Sequence, residues 1–250
     1  MDIRERLIAL AEKYETPDFL PADPSRFMHE VEGDRNREAT AFVAACLSFG
    51  SRKQFLPKIA SLIDMADRDV DGWIRSGKAE KYFKKDDNQN FYRFYTNGDM
   101  HRFFADYRHV MEKYGTIGEY VRRTTTGDSP QKIGDRPRIV KAICEAFSGS
   151  PVVPKDAKSC CKRVCMFLRW MVRDNSPVDL GLWADFVDKR SLVIPMDVHV
   201  RDEAKKLGLV KSDCTSMAAA VRLTEKLREI FPDDPLKADF ALFGLGVSRG

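Results

Sequence analysis

Wherever apolar residues recur along this chain with a clear period, the period is that of a helix, and no stretch shows the sustained alternation of a half-buried strand. That pattern points to an all-α fold. The segment SCCKRVCMFLRWMVR, Ser159 to Arg173, is representative: Val164, Phe167, Leu168 and Met171 fall at i, i+3, i+4 and i+7, the buried stripe of an amphipathic helix. At about 100° per residue, Lys162 lies opposite that stripe with Met166, Arg169 and Arg173, on a basic face that needs an explanation.

Composition narrows the explanations. A chain of 250 residues can bury a real core, as one large domain or two lobes. With 43% hydrophobic and 32% charged residues it lies far from the disordered corner of composition space. The net charge of +4 permits an acidic partner without demanding one. No run of about 18 apolar residues occurs and the N-terminus mixes acids with bases, so neither a membrane span nor a signal peptide is expected. The expectation is a cytoplasmic, nucleoid-associated monomer. Six scattered cysteines fit free thiols in a reducing compartment. Cys161 and Cys165 are one helical turn apart, but no CxxC pair or Cys/His cluster supplies further ligands, so no metal or cofactor is expected.

Along the chain, Ile3, Leu7, Leu10 and Ala11 form the stripe of a first helix, which the prolines of PDFLPADP end. Ala39 to about Phe49 is apolar enough to be central, and Gly50 and Ser51 break it from a helix over Gln54 to Met65. Between about Gly72 and Asn97, aromatics interleave with basic and polar residues, which reads as short helices and loops. Phe103, Tyr107, Val110, Met111 and Tyr114 share one side of the next helix, with Gly115 as C-cap. TTTGDSPQKIGDRPR is the best candidate for a mobile loop, followed by a helix RIVKAICEAF. Thr215 or Ser216 can cap the helix of TSMAAAVRLTEKLREIF.

In IPMDVHVRDEAKKLGL, Asp197 stands just ahead of a helix with inward positions Val200, Ala204 and Leu207 and with Gly208 at its end. Asp197 is therefore in N-cap position, where a carboxylate contributes about 1 kcal/mol by accepting from first-turn amides. Capping alone would account for an isolated Asp there.

Two stretches add to that reading. IPMDVHVRDEAKKLGL resembles the Pro-x-Asp-x-His segment and following helix of the helix-hairpin-helix DNA glycosylases, a base-excision-repair superfamily, and KRVCMFLR resembles their lysine-bearing helix, especially in the archaeal-type 8-oxoguanine glycosylases. More closely, CKRVCMFLRWMVR, VDLGLW, IPMDVHV and DFALFGLG resemble an uncharacterised bacterial family of conserved hypothetical proteins, a remote branch of that superfamily. The closer resemblance covers most of the chain. The part shared with proven glycosylases spans about Lys162 to Leu209, with an echo in FVAACLSFGSRKQF.

The resemblance implies a two-lobed helical fold with a cleft between the lobes, lobe A at about 25–175 carrying Lys162 and lobe B, about 1–24 plus 176–250, carrying Asp197. It assigns Lys162 as nucleophile and Asp197 as the essential carboxylate of a glycosylase, with AP lyase activity through a Schiff base to deoxyribose. The chemistry fits those residue types. Breaking a base–sugar bond builds positive charge at the anomeric carbon, which a fixed carboxylate stabilises. A lysine attacks only as the free amine, and Arg169 and Arg173 on the same face would favour loss of its proton while attracting phosphate. Damaged duplex DNA is the implied partner, an 8-oxoguanine-like purine the implied base. His199 and Trp183 are possible pocket residues, although a hydrogen-bonding role for His199 and a core position for Trp183 also explain them.

The chain departs from the superfamily pattern in several places. It has SPVVPKDAKSCCK where a Gly-x-Gly hairpin would hold a phosphate, leaving non-glycine amides or Lys155 and Lys158 for that task. Lys162 and Asp197 are separated by 35 residues, an extended spacing filled by a segment in which Leu180 to Val187 is expected to fold as a small helix with Trp183 and Phe186 inward. FGSRKQ stands where relatives carry a glutamine-bearing wedge, so Arg52 or Gln54 would fill the space of a flipped base. The iron–sulfur cysteines of some relatives are absent, and Asp239 reads as a paired structural acid.

Two other classes stay open. One is a nucleic-acid-binding protein that keeps the fold without the chemistry, the other a helical interaction scaffold. A distance above about 10 Å between Lys162 and Asp197 would favour the scaffold, whereas about 4–7 Å would leave room for a shared anomeric carbon.

Overall fold

A computed structural model of the chain describes residues 2–126, 137–211 and 213–247. It is mostly helical. In chain order the helices are α1 (Ile3–Tyr14), α2 (Arg26–His29), α3 (Asp34–Leu47), α4 (Arg52–Met65), α5 (Val70–Arg75), α6 (Lys78–Tyr82), α7 (Asn97–Tyr114), α8 (Ile117–Val121), α9 (Pro137–Ala146), α10 (Lys162–Val172), α11 (Val198–Lys206), α12 (Met217–Arg228) and α13 (Ala238–Val247). Strands β1 (Asn90–Tyr92) and β2 (Tyr95–Thr96) pair as an antiparallel ribbon between α6 and α7, so the all-α expectation is amended by one small hairpin. Strands of three and two residues are too short to display a period in the sequence.

The described residues divide into two compact units. The terminal unit comprises 2–23, 137–140 and 157–247, and the inner unit 24–126 and 141–156. This differs from the expected lobes in one consequential respect: α10, with Lys162, belongs to the same unit as Asp197. The physical reason is that Arg169 and Arg173 of α10 form ion pairs with acids from other parts of the terminal unit.

In the terminal unit, Asp2 and Glu5 form a capping box at the start of α1, which packs along α13. The contact is close because residue 244 is glycine. A Cβ there would come within 2.2 Å of the Tyr14 ring. Gly244→Ala is therefore expected to lower stability by about 1–3 kcal/mol through overpacking, measured by thermal unfolding; an unchanged midpoint would show that α1 and α13 can separate freely. Phe19 completes this layer, with its ring edge-on to Phe240 and Phe243 at centroid distances of 5.1 and 4.9 Å.

In the inner unit, α3 is buried along its whole second half, Ala39 to Leu47. Phe42 meets Phe103, Tyr107 and Phe147 in one aromatic cluster. The buried Glu38 of α3 accepts from the amides of Ile117 and Gly118, so a carboxylate from one helix satisfies the open N-terminus of α8. Gly115 ends α7 with φ of 92°, as its position in the sequence suggested.

The segment from Leu180 to Val187 is a series of turns rather than the expected helix. Its amides bond outward as well as locally: Leu180 N donates to Trp170 O at 2.7 Å and Trp183 N to Met171 O at 2.7 Å, which ties the turns to the end of α10. The proposed mobile loop falls largely on 127–136, outside the described residues.

Candidate active site

The chain reaches Lys162 through a strained residue. Cys161 adopts left-handed φ 45° and ψ 40°, which a non-glycine residue holds only when its surroundings enforce it. Those surroundings are an antiparallel bridge between Ser159 and Ser216, in which Cys160 N donates to Thr215 O and Met217 N to Lys158 O, both at 3.2 Å. Ser216 in turn caps α12 by accepting from Ala219 N. The start of α10 is thus clamped to the start of α12, and Lys162 is its first helical residue.

Asp197 is fixed from the other side. It is the N-cap of α11, with Oδ1 accepting from Val200 N at 2.9 Å. Its other oxygen, Oδ2, accepts from Lys162 Nζ at 2.5 Å. Capping and the contact with Lys162 are therefore compatible for Asp197, because each oxygen serves a different partner. Both side chains keep partial exposure, 38% for Lys162 and 28% for Asp197, so a ligand can reach the pair. Burial pushes the Asp197 carboxyl up, but the Lys162 ammonium, the Val200 amide and His199 more than offset it and hold the group below the usual carboxylate range.

The basic face is resolved differently from the expectation that it attracts phosphate. Arg169 and Arg173 are buried, at 4% and 1% exposure. Arg169 Nε bonds Asp179 at 3.2 Å and its Nη1 pairs with Asp239. Arg173 pairs with Asp179, with Asp234 at 2.7–3.0 Å and with Glu15 at 2.7 Å. Both guanidiniums also lie over the Phe240 ring, at 4.7 and 5.4 Å. They are structural cations shut away from any phosphate, and Asp239 is a partner of Arg169, the paired structural acid that its sequence context suggested. The Asp239 carboxyl also lies within electrostatic reach of Lys162 and Asp197.

The remaining sequence-predicted residues scatter. Lys155 and Lys158 are exposed, the first in the inner unit and the second in the terminal unit. Arg52 and Gln54 are exposed at the start of α4, where Arg93 Nη1 reaches Gln54 Oε1 at 3.5 Å. His199 is exposed in the first turn of α11. Trp183 is buried edge-on to Phe167 at 5.3 Å, the core position rather than a pocket wall.

A family model described as a protein of unknown function (DUF2400) matches residues 23–248. The chain belongs to the DUF2400 family. No curated protein and no solved structure matches this DUF2400 chain.

Sequence reasoning missed an exposed aromatic of the DUF2400 protein. Phe94 is 68% exposed at the tip of the β1–β2 ribbon, next to Arg93, whose φ is 52°. Its ring packs on Phe49 and Tyr95 at 5.2 and 4.7 Å. The signal available was RFY within an aromatic-rich segment, which composition alone does not separate from core. Among the described residues no group of three or more His, Cys, Asp or Glu is gathered to hold a metal, and no helix is long and apolar enough to cross a membrane.

Proposed function

We propose that this DUF2400 protein is a DNA glycosylase of the helix-hairpin-helix type with AP lyase activity, in which Lys162 is the nucleophile and Asp197 the electrostatic partner. The observation that carries the reading is the direct contact of a lysine amine with a capped carboxylate, both partly open to solvent, in residues that match the superfamily's pair in kind and order. The partner is damaged duplex DNA, with the lesion flipped out of the stack because its anomeric carbon is unreachable inside it. An 8-oxoguanine-like purine is the preferred base, by resemblance.

In this mechanism Asp197 holds the Lys162 ammonium in place before substrate enters. As the base departs, positive charge grows at the anomeric carbon beside the carboxylate, which stabilises it. Lys162 passes a proton through Asp197 Oδ2 to the departing base and forms a bond to that carbon, and the base leaves with the bonding pair and that proton, which restores the carboxylate. The resulting Schiff base permits β-elimination of the 3′ phosphate. Because Oδ1 stays on the α11 amide, the carboxylate keeps its aim throughout.

Borohydride reduction in the presence of abasic or 8-oxoguanine duplex should give a one-to-one covalent adduct that is lost in Lys162→Gln. An adduct that persists in the variant would move the nucleophile elsewhere.

A second reading is favoured by two observations, the absence of a Gly-x-Gly hairpin and the burial of Arg169 and Arg173. It is a nucleic-acid-binding protein of the same fold without turnover. Salt-sensitive binding with no adduct, unchanged in Asp197→Asn, is its expected signature.

A further inference from the structure

A cleft of about 400 Å3 opens between α11 and α12 in the terminal unit, a volume within the usual range for small-molecule sites. Its lining includes Met196, Leu209, Val210 and Ala219, which give it an apolar floor. Four cations, Arg201, Lys211, Arg222 and Lys226, line it against one acid, Glu225. Part of that charge is already matched: Arg201 bonds Asp202 and the Asp213 carbonyl, Lys226 bonds Glu229, and Glu225 pairs with Arg228. Lys211 and Arg222 have no ion-pair partner among the described residues, and both are exposed. Cys214 also lines the cleft and is exposed, whereas Cys160 is half-buried and the other four cysteines are buried.

We propose that this cleft binds small anionic molecules with an apolar body, and that Cys214 within it is a site of covalent modification by such molecules when they carry a disulfide. The apolar floor takes the body of the ligand, and Lys211 and Arg222 take its charge, which singles out an anion over a neutral or cationic molecule of the same shape. The thiol is prepared for the reaction: hydrogen bonds from the Ser216 hydroxyl and amide, with the Arg222 charge, hold Cys214 below the usual thiol range and favour the thiolate. The thiolate attacks one sulfur of the ligand's disulfide, a protein–ligand S–S bond forms, the ligand's own S–S bond breaks, and the second sulfur leaves as a thiolate with the bonding pair. The disulfide is the oxidant, so no other co-reactant is needed. This inference is independent of the glycosylase reading, since neither Lys162 nor Asp197 takes part.

The test compares two aromatic disulfides on the folded full chain at low ionic strength, the dianionic dithiobis-nitrobenzoate and the neutral dithiodipyridine. Relative to a free small-molecule thiol, Cys214 should prefer the anionic reagent by roughly 10-fold, with a rate that saturates as the cleft fills. Cys214→Ser should remove the fast phase. Lys211→Glu combined with Arg222→Glu should slow both reagents, because the Arg222 charge also favours the thiolate, but should abolish the preference for the anionic one, with an unchanged thermal midpoint as the control that the fold survives. An equal rate for the two reagents, or a preference that survives charge reversal, would overturn the proposal. A fast phase that persists in Cys214→Ser would do so as well.

Discussion

Arg173→Met is expected to lower the unfolding free energy by about 3–5 kcal/mol, measured by urea denaturation at pH 7, because it takes the guanidinium away from Asp234 and leaves the fully buried Asp179 with Arg169 alone. The Arg173 side chain is only 2% exposed and is shared by Asp179, Asp234 and Glu15, whose side chains are 0%, 17% and 8% exposed. Methionine fills much of the volume, so the loss reports charge rather than a cavity. The effect should also depend on pH in a defined direction. Burial pushes the Asp179 and Asp239 carboxyls up, while the arginines pull them partly back, and the net position is above the usual range. A folded-state pKa above the unfolded value of about 3.9 means that the native state binds the proton more tightly, so the stability from these groups falls as pH rises through that window and returns on acidification. Without Arg173 the upward push on Asp179 is larger. The deficit of the variant should therefore shrink as the pH is lowered from 7 toward the range in which that carboxyl protonates. A loss below about 1 kcal/mol, or one that does not change on acidification, would mean that the cluster is solvated in solution and that its packing carries little weight.

The same cluster marks where the sequence stops being legible. Helical periodicity placed α1, α4, α7, α10 and α12 close to their observed limits, whereas α3 starts at Asp34, ahead of the expected Ala39, and the end signals of Gly115, Asp197, Gly208 and the Thr215–Ser216 pair were read locally because a cap is a local event. Helical spacing puts Arg169 and Arg173 on one face of α10. What no local pattern reports is which part of the chain covers that face. The acids that cover it are 10 and 70 residues from Arg169 and 6, 61 and 158 residues from Arg173, so the two arginines expected to attract phosphate are interior ones. The turns over Leu180 to Val187 escaped for a related reason, since their shape follows from hydrogen bonds to the end of α10 rather than from their own period. The juxtaposition of Lys162 and Asp197 across 35 residues was legible only through resemblance, because capping by itself explains Asp197 and exposure by itself explains Lys162.

Asp197→Asn separates those two roles, and it is the variant from which the largest functional change is expected. The amide oxygen of asparagine can still accept from Val200 N, so α11 keeps its cap and stability should stay within about 1 kcal/mol of the parent, whereas Asp197→Ala loses the cap as well. The charge beside Lys162 is gone in both. If the carboxylate stabilises developing positive charge at an anomeric carbon, release of a damaged base should slow by about 10²–10⁴-fold in Asp197→Asn, followed under single-turnover conditions with 8-oxoguanine duplex. Acid dependence gives an independent readout. Despite burial, Lys162, the Val200 amide and His199 hold the Asp197 carboxyl below the usual range, so its contribution to stability is present above the unfolded pKa of about 3.9 and is lost as pH falls through the lower folded value. That acid limb should vanish in the asparagine variant, whether or not the protein turns over DNA. An Asp197→Asn protein that loses the limb yet releases base at the parent rate would leave the ion pair intact as structure and remove Asp197 from the chemistry. Loss of both together is what a capped carboxylate facing a reactive lysine predicts.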